Sequence, residues 1–443
     1  MKPLSGLLLL LGLLLAVGCQ SDRPPLSDVG VATAWADMTL WLTKTTPANT
    51  PTYASRCLGY IGLTMYESVV PGYPDYRSLA GQLNGLKSLP QPEPGKTYHW
   101  LLALNAGQAR ILKRLYNQTS DANKQRVDSL EQLVAHQMAD TVDSEVVNRS
   151  VAYGRAVAER IFDWSKTDGG HRGYLRNFDK TMTYPAHLGC WKPPLYAQSF
   201  SHYPLHPHWG QNRPFLAQDA QLAPPTLIPY STDKGSPYFK QFLQVYHKQQ
   251  TLTQTEKEIA IWWSDDPDET FTPPGHSYYL ATLAVRQAKP SLIRCAETYA
   301  RVGMAVADAF INCWKWKFQF FTERPNTFVP QHIDQQWESF WPDPPFPAFP
   351  SGHAIQAGAA ATVLTDLYGP AFAFTDSAHA GRKPDRLRHT DFKPRQFHSF
   401  REAAQEIADS RFYGGIHTPQ DNQAGLAKGD AIGLAVNALN WKK

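Results

Sequence analysis

Cysteine is scarce, with five in 443 residues. That excludes a small fold stapled by disulfides, which needs a dense, paired set. An excess of charge of one sign is also missing. The formal net charge is +4 and no long Lys/Arg run accompanies it, so the footprint of a nucleic-acid binder is absent. Beyond the first twenty residues no stretch reaches the roughly 18 consecutive apolar residues that a spanning helix needs. A protein with several spanning helices is thereby excluded. Fixed-period repeats and low-complexity tracts are absent too. Hydrophobic residues make up 42% and charged residues 19%, too apolar for a disordered chain. Aromatics, by contrast, reach 12%, with 13 Trp, and Pro reaches 35. Such a chain buries a sizeable core and carries long, proline-pinned loops.

The first segment reads as an address. Met1-Lys2 is a short positive start, 4–17 is apolar, and Ala16-Val17-Gly18-Cys19 follows. The stretch is too short to span a bilayer. It resembles the bacterial lipoprotein signal, with Ala16 where leucine is favoured. The expectation is a signal peptide at 1–18, lipidation of Cys19 and a polar tether at 19–27. An ordinary signal peptide cut near Gly18 is the alternative. The lipoprotein reading places the protein outside the cytoplasm, periplasmic or at the cell surface, touching the membrane only through its lipid. Cys57, Cys190, Cys295 and Cys313 then remain. On one unbroken helix Cys295 and Cys313 lie about five turns apart, too far to bond. Buried, unpaired side chains are the plain expectation for all four.

Apolar residues recur at helical spacing over 28–43, 54–69, 98–116, 121–138 and 144–164, with Ser120 and Asp143 as caps. Periodicity returns over 239–247, 254–263, 291–320, 354–368, 397–411 and 419–437. Between these sets, 183–238 is rich in Pro, Tyr, His and Trp and has no sustained period. A loop that long is functional or covers another surface. The fold class expected is all-α, a helical bundle, with a helical half at 28–182, a connection at 183–238 and a helical half at 239–443.

Three short clusters carry candidate chemistry. The first is Lys317 with Arg324-Pro325, the second Pro350-Ser351-Gly352-His353, and the third Ser410-Arg411, His417 and Asp421. Each alone has a plain reading. Lys317 and Arg324 fit a solvated helix face, Ser351 an N-cap, and Asp421 a capping partner for Thr418-Pro419. Together they supply three cations, two histidines, a carboxylate and a Ser-Gly backbone at a helix start. That set suits a tetrahedral oxyanion. Guanidinium groups bind its oxygens bidentately, Lys adds a point charge, and backbone N–H groups complete the nest. One histidine can attack or ligate the central atom while the other trades protons. Asp421, four residues after His417, can orient its ring.

In order and spacing these clusters match the three-part signature of the phosphatidic acid phosphatase type 2 / vanadium haloperoxidase superfamily, which the chain is identified as resembling. The signature runs from Lys317 to Asp421, and wider similarity to the haloperoxidase branch begins near Trp262. Pro344 to Phe349 leads into Ser351-Gly352-His353 as in chloroperoxidases. Phe346 stands where the bromoperoxidase type has His, and Trp314 where that branch has a pocket Trp. The segments Trp262 to Asp266 and Thr272 to His276 resemble the region that supplies a buried carboxylate. The resemblance implies that Asp266 braces an active-site Arg or His353. Core packing is the plain alternative for Trp314 and Phe346, and loop polarity for Asp266 and His276.

The resemblance implies two reactions at one site. As a peroxidase, His417 ligates vanadate (vanadium(V)), with Lys317, Arg324, Ser351, Gly352 and Arg411 around its oxygens. His353 then assists proton transfer as hydrogen peroxide oxidises a halide. As a metal-free acid phosphatase, His417 attacks a phosphate ester, oriented by Asp421, and His353 protonates the leaving group. The same residues serve both, so the signature does not choose. A non-catalytic phosphate- or vanadate-binding lipoprotein is a third reading. An apolar Phe346 points to a dry, chloride-oxidising pocket. An oligomer pairing through helical faces remains open.

Overall fold

The computed structural model describes residues 26–138, 141–193, 203–267 and 269–443. The segment 1–18, Cys19 and most of the tether lie outside the described residues. Among those described, thirteen α-helices and one short ribbon make up the regular structure apart from 3-10 turns, so the chain is all-α.

The first half forms α1 (Asp28–Thr45), α2 (Pro51–Glu67), α3 (Trp100–Leu115), α4 (Asp121–Met138) and α5 (Ser144–Ser165). Their starts follow capping chemistry. Ser27 accepts from the Gly30 N–H, Asp143 from Glu145 and Ser120 from Asn123. Pro51 opens α2, where its missing N–H is not needed. The described part of 183–238 holds only two three-residue 3-10 turns before the next helix begins at its end.

The second half forms α6 (Pro237–Gln250), α7 (Gln254–Trp262), α8 (Thr272–Ala288), α9 (Leu292–Phe320), α10 (Pro325–His332), α11 (Gly352–Tyr368), α12 (Phe400–Tyr413) and α13 (Pro419–Asn437). Periodicity does not announce α8 or α10. Helix α8 opens Thr-Pro-Pro-Gly, which reads as a turn, yet prolines fit a first helical turn. It is buried on most sides, so no amphipathic stripe marks it. Helix α10 has eight residues and an internal proline, Pro330. The strands β1 (Phe374–Asp376) and β2 (Arg395–Phe397) pair antiparallel and are too short to alternate visibly.

Helix α9 is the axis. Nearly every residue from Leu292 to Lys317 is buried, as in a helix enclosed on all sides. Helix α2 crosses it backbone to backbone. A Cβ on Gly62 would overlap the Tyr299 carbonyl, and one on Gly303 the Leu58 carbonyl. One core cluster runs from α1 to α13, so the two expected halves share a core and are not separate packing units. Helix α11 packs on α9, α12 and α13, which brings the three clusters to one place. Cys57, Cys190, Cys295 and Cys313 are free and buried. No described helix is long and apolar enough to cross a membrane.

Candidate functional site

The site begins where α9 ends. Phe321 takes a left-handed conformation (φ 53°) and its N–H closes the helix on the Lys317 carbonyl. Lys317 therefore sits in the last turn, where the helix dipole favours a cation. The chain reverses, and Arg324 caps α10 with Pro325 as its first residue. Both cationic side chains are fully buried. Lys317 Nζ donates to the carbonyls of Pro347 (2.8 Å) and Ala348 (2.6 Å). Arg324 donates to Phe346 (3.0 and 3.1 Å), Pro347 (3.4 Å) and Ile416 (2.8 Å). The proline-rich segment 344–350 is thus a floor of carbonyls that holds two cations side by side. Among the described residues neither forms an ion pair. Burial, joined by repulsion from Arg324, pushes Lys317 down to about 7. Burial also lowers Arg324. Cations crowded in this way are stabilised by an anion.

Two helix starts face this pair. Ser351 caps α11, and its N–H donates to the Asp421 carbonyl (2.9 Å), joining α11 to α13. Thr418 and Asp421 form a capping box at the start of α13. Asp421 therefore does have the expected capping role, and it has a second one. His417 Nδ1 lies 2.9 Å from Asp421 Oδ2, and Nε2 lies 3.4 Å from an Arg324 nitrogen. Burial and then Arg324, Lys317, Arg411 and His353 hold His417 well below the usual imidazole range. The ring is neutral at pH 7. With Nδ1–H given to the carboxylate, Nε2 keeps its lone pair toward the cations.

The third wall is the loop after α7. The Trp263 carbonyl accepts from Arg411 (3.2 Å). Arg411 also pulls Asp266 down, against burial that leaves that carboxyl near 7. Of the two partners expected for Asp266, the electrostatic one is Arg411. His353 is partly buried, and its Nε2 is enclosed with no hydrogen-bond partner among the described groups. Burial and Arg411 lower His353 well below the usual range, opposed by Asp265 and the Ser264 backbone.

Asp265, Asp266, Gly352, His353, Arg411 and His417 line a cavity of about 210 Å³, with Lys317, Arg324, Ser351 and Asp421 outside its lining. Trp314, part of the main core, and Phe346, packed against it, also reach the cavity wall, their ring centroids 4.9 Å apart. The Phe346 ring lies 5.1 Å from Lys317 Nζ and 5.3 Å from the Arg324 guanidinium. The oxyanion-site candidates lie within 239–443, but that half does not line the cavity alone. Ala48 to Pro51, Asn177 and Phe178 of the first half line the cavity, as does Leu205 of the connection. The shared core causes this, because α2 is locked against α9. Leu205 is fixed there by the Trp314 indole, which donates to its carbonyl (3.0 Å).

Comparisons with known proteins bear on the fold and the family. Residues 297–441 match the family model of the VCPO second helical-bundle domain. No curated protein sequence matches. The crystal structure of the first bacterial vanadium-dependent iodoperoxidase superposes with a TM-score of 0.77 at 31% identity, over 91% of this chain and 95% of that one. This chain belongs to the vanadium-dependent haloperoxidase family. An apo bacterial vanadium-dependent chloroperoxidase shares the fold at 15% identity (TM-score 0.64, 88% of this chain and 93% of that one). A holo form does so at 16% (TM-score 0.63, 94% and 93%).

In this haloperoxidase-family chain, the twelve residues that the sequence singles out divide cleanly. Eleven surround one cavity or brace the groups that do; Cys19 lies outside the described residues. Sequence reasoning does not find the network of Asp265, Asp376 and His379, and for its fourth member, His276, it offers loop or helix-end polarity as the plain alternative. All four are buried. His379 and Asp376 sit around a three-residue strand, and no spacing links them to α8.

Proposed function

We propose that the protein is a vanadium-dependent haloperoxidase that oxidises halide with hydrogen peroxide, releasing hypohalous acid and water after uptake of one proton. The observation that carries this reading is the geometry of His417, its Nδ1 2.9 Å from Asp421 and its Nε2 3.4 Å from buried Arg324, beside buried Lys317, with both cations otherwise held by backbone carbonyls. The donor set fits vanadate. His417 Nε2 offers one nitrogen ligand, and Lys317, Arg324 and Arg411 offer charge. The Gly352 N–H at the start of α11 and Ser351 complete the oxyanion nest. A Cβ on Gly352 would meet Trp314, Cys313 and Lys317 at ordinary contact distance, 3.6–3.9 Å, so the glycine brings its backbone close to all three. When bound, vanadate supplies a Lewis acid that activates hydrogen peroxide without changing its own oxidation state.

The side chains then have separate tasks. Asp421 holds the tautomer of His417. Lys317 and Arg324 neutralise oxyanion charge from the floor, and Arg411 from the loop side, where Asp266 keeps it in place. His353, neutral and with a bare Nε2, accepts a proton from the incoming peroxide and returns one to the product. Trp314, Phe346, Phe178 and Leu205 give the cavity an apolar wall.

Iodide is the halide we assign first. The 31% identical relative is an iodoperoxidase, and iodide is the easiest halide to oxidise. Turnover of chloride is the stricter demand that Phe346 raises. The phosphatase reading uses the same His417 lone pair, and no observation favours it separately. A binder without turnover has no use for the bare Nε2 of His353. We also propose lipidation at Cys19 and export, on the signal-like 4–19 segment alone.

The test uses protein reconstituted with orthovanadate and assayed with peroxide and iodide, bromide or chloride, beside a vanadate-free phosphatase assay. Vanadate-dependent halide oxidation is the expected result. Phosphate release inhibited by vanadate, without halide oxidation, would overturn the peroxidase assignment.

A further inference from the structure

Asp265, itself in the cavity wall, belongs to a buried network that the proposed chemistry does not use. Asp265 Oδ2 is 2.7 Å from His276 Nδ1, and Asp265 Oδ1 is 2.9 Å from His379 Nε2. His276 Nε2 is 2.9 Å from Asp376 Oδ2, which also accepts from the Trp262 indole (2.7 Å). The second Asp376 oxygen accepts from the Ala378 N–H (2.9 Å). Asp265 itself has φ +49°. A left-handed conformation at a non-glycine residue is disfavoured and persists only where its surroundings hold it. Here two imidazoles from different elements hold it, one on α8 and one after β1.

The residues beside Asp265 are the ones that touch the site. Trp263 gives its carbonyl to Arg411, and Asp266 acts on the same guanidinium. The Ser264 backbone acts on His353. The loop therefore has three outputs, and Asp265 anchors it beside the Trp263 indole, which donates to Glu406 (2.9 Å), and the Ser264 hydroxyl, which donates to the Ile261 carbonyl (2.9 Å).

We propose that Asp265 is a positioning residue which, gripped by His276, His379 and, through His276, Asp376, fixes the Trp263–Asp266 loop against His353 and Arg411. The rival use of Asp265, His276 and His379 is a divalent cation, since their ligand atoms lie within 4.8 Å of one another. Ligands sharing a tetrahedral ion at bonds of about 2.0–2.2 Å sit about 3.3 Å apart. The observed 2.7 and 2.9 Å are hydrogen-bond lengths. His276 bridges two carboxylates, as an imidazolium does. Burial lowers its pKa, but Asp265 and Asp376 outweigh that and raise it to about 10.

The kinetic arm of the test rests on the haloperoxidase reading; the spectroscopic arm does not. In vanadate-loaded enzyme, Asp265→Asn should lower kcat about 10- to 100-fold, with KM for peroxide changed less than about threefold. His353→Ala combined with Asp265→Asn should lose less than the product of the two single losses, because the variants share the His353 output and only the Arg411 output remains to be lost. Multiplicative losses, or a wild-type kcat in Asp265→Asn, contradict the proposal. Should Asp265→Asn not fold, His379→Gln removes one grip only, and a loss of about 2- to 10-fold is expected.

The second arm is 15N-histidine NMR of the full-length protein without substrate. His276 should carry a proton on both ring nitrogens at pH 8, and Asp265→Asn should shift the His353 ring signals. A singly protonated His276, an unshifted His353, or one equivalent of tightly bound divalent metal would each overturn it. Absence of halide oxidation in the wild type removes the enzyme reading and leaves this arm to decide.

Discussion

His417 Nδ1 and the Thr418 N–H both lie against one oxygen of Asp421, at 2.9 and 3.0 Å. One carboxylate oxygen therefore starts α13 and fixes the tautomer of the candidate ligand. Burial leaves this carboxyl near 6, opposed by Thr418, Lys317 and Arg324.

Asp421→Asn should separate those two roles. An amide keeps much of the cap, so stability should fall by about 0.5–2 kcal/mol. Vanadate affinity should fall about 10- to 100-fold. Thermal melts and vanadate titration read the two effects. A stability loss with unchanged affinity would show that Asp421 is only a cap.

Gly352→Ala should do the reverse. The added methyl meets its protein neighbours at ordinary contact distance, and alanine is the better helix former by up to about 1 kcal/mol. The melting temperature should hold or rise. Anion binding should weaken at least about tenfold, because the methyl enters the space beside the Gly352 N–H. Tight binding by the alanine variant would remove Gly352 from the nest.

Much of this site is legible in the sequence because its parts are local. Lys317 and Arg324 straddle one helix end, Ser351 and Gly352 open another helix, and His417 and Asp421 lie one turn apart. Capping chemistry and spacing carry such features. Helix α8 is not legible, because burial on most sides erases the amphipathic period and its prolines resemble a turn. The same holds for the cavity wall at Ala48–Pro51, which reaches the site only because α2 is locked on α9. His276 meets Asp265 from the loop after α7 and Asp376 at the end of a strand too short to alternate, so the sequence leaves loop or helix-end polarity as its plain alternative.

Lys317 gives a pH-dependent prediction. Without an anion it is pushed down to about 7, and a neighbouring anion favours its charged form and raises it again. Above pH 7 binding therefore takes up a proton, and affinity falls as pH rises. Calorimetry at pH 8 with sulfate, whose charge is constant there, in buffers of different ionisation enthalpy should show the uptake. Lys317→Met should reduce it. Equal uptake in the variant would assign the proton elsewhere, with Asp266 the first candidate.

His276 gives a second. Its folded value is raised to about 10 from an unfolded value of about 6.5. The folded state thus holds a proton that the unfolded chain releases first. The stabilisation is complete below about pH 6.5 and drains away as pH climbs toward 10. Melting temperatures of wild type and His276→Gln should differ most near pH 6 and converge by pH 10. A gap that is constant with pH would mean that His276 is neutral in the fold.

The central claim is that His417 is the vanadate ligand of a halide-oxidising site. The most direct measurement is iodide oxidation by peroxide as vanadate is titrated into wild type and His417→Ala. The account predicts activity that rises to saturation at one vanadate per chain in the wild type and none above background in the variant. Equal, vanadate-dependent activity in both proteins would contradict it.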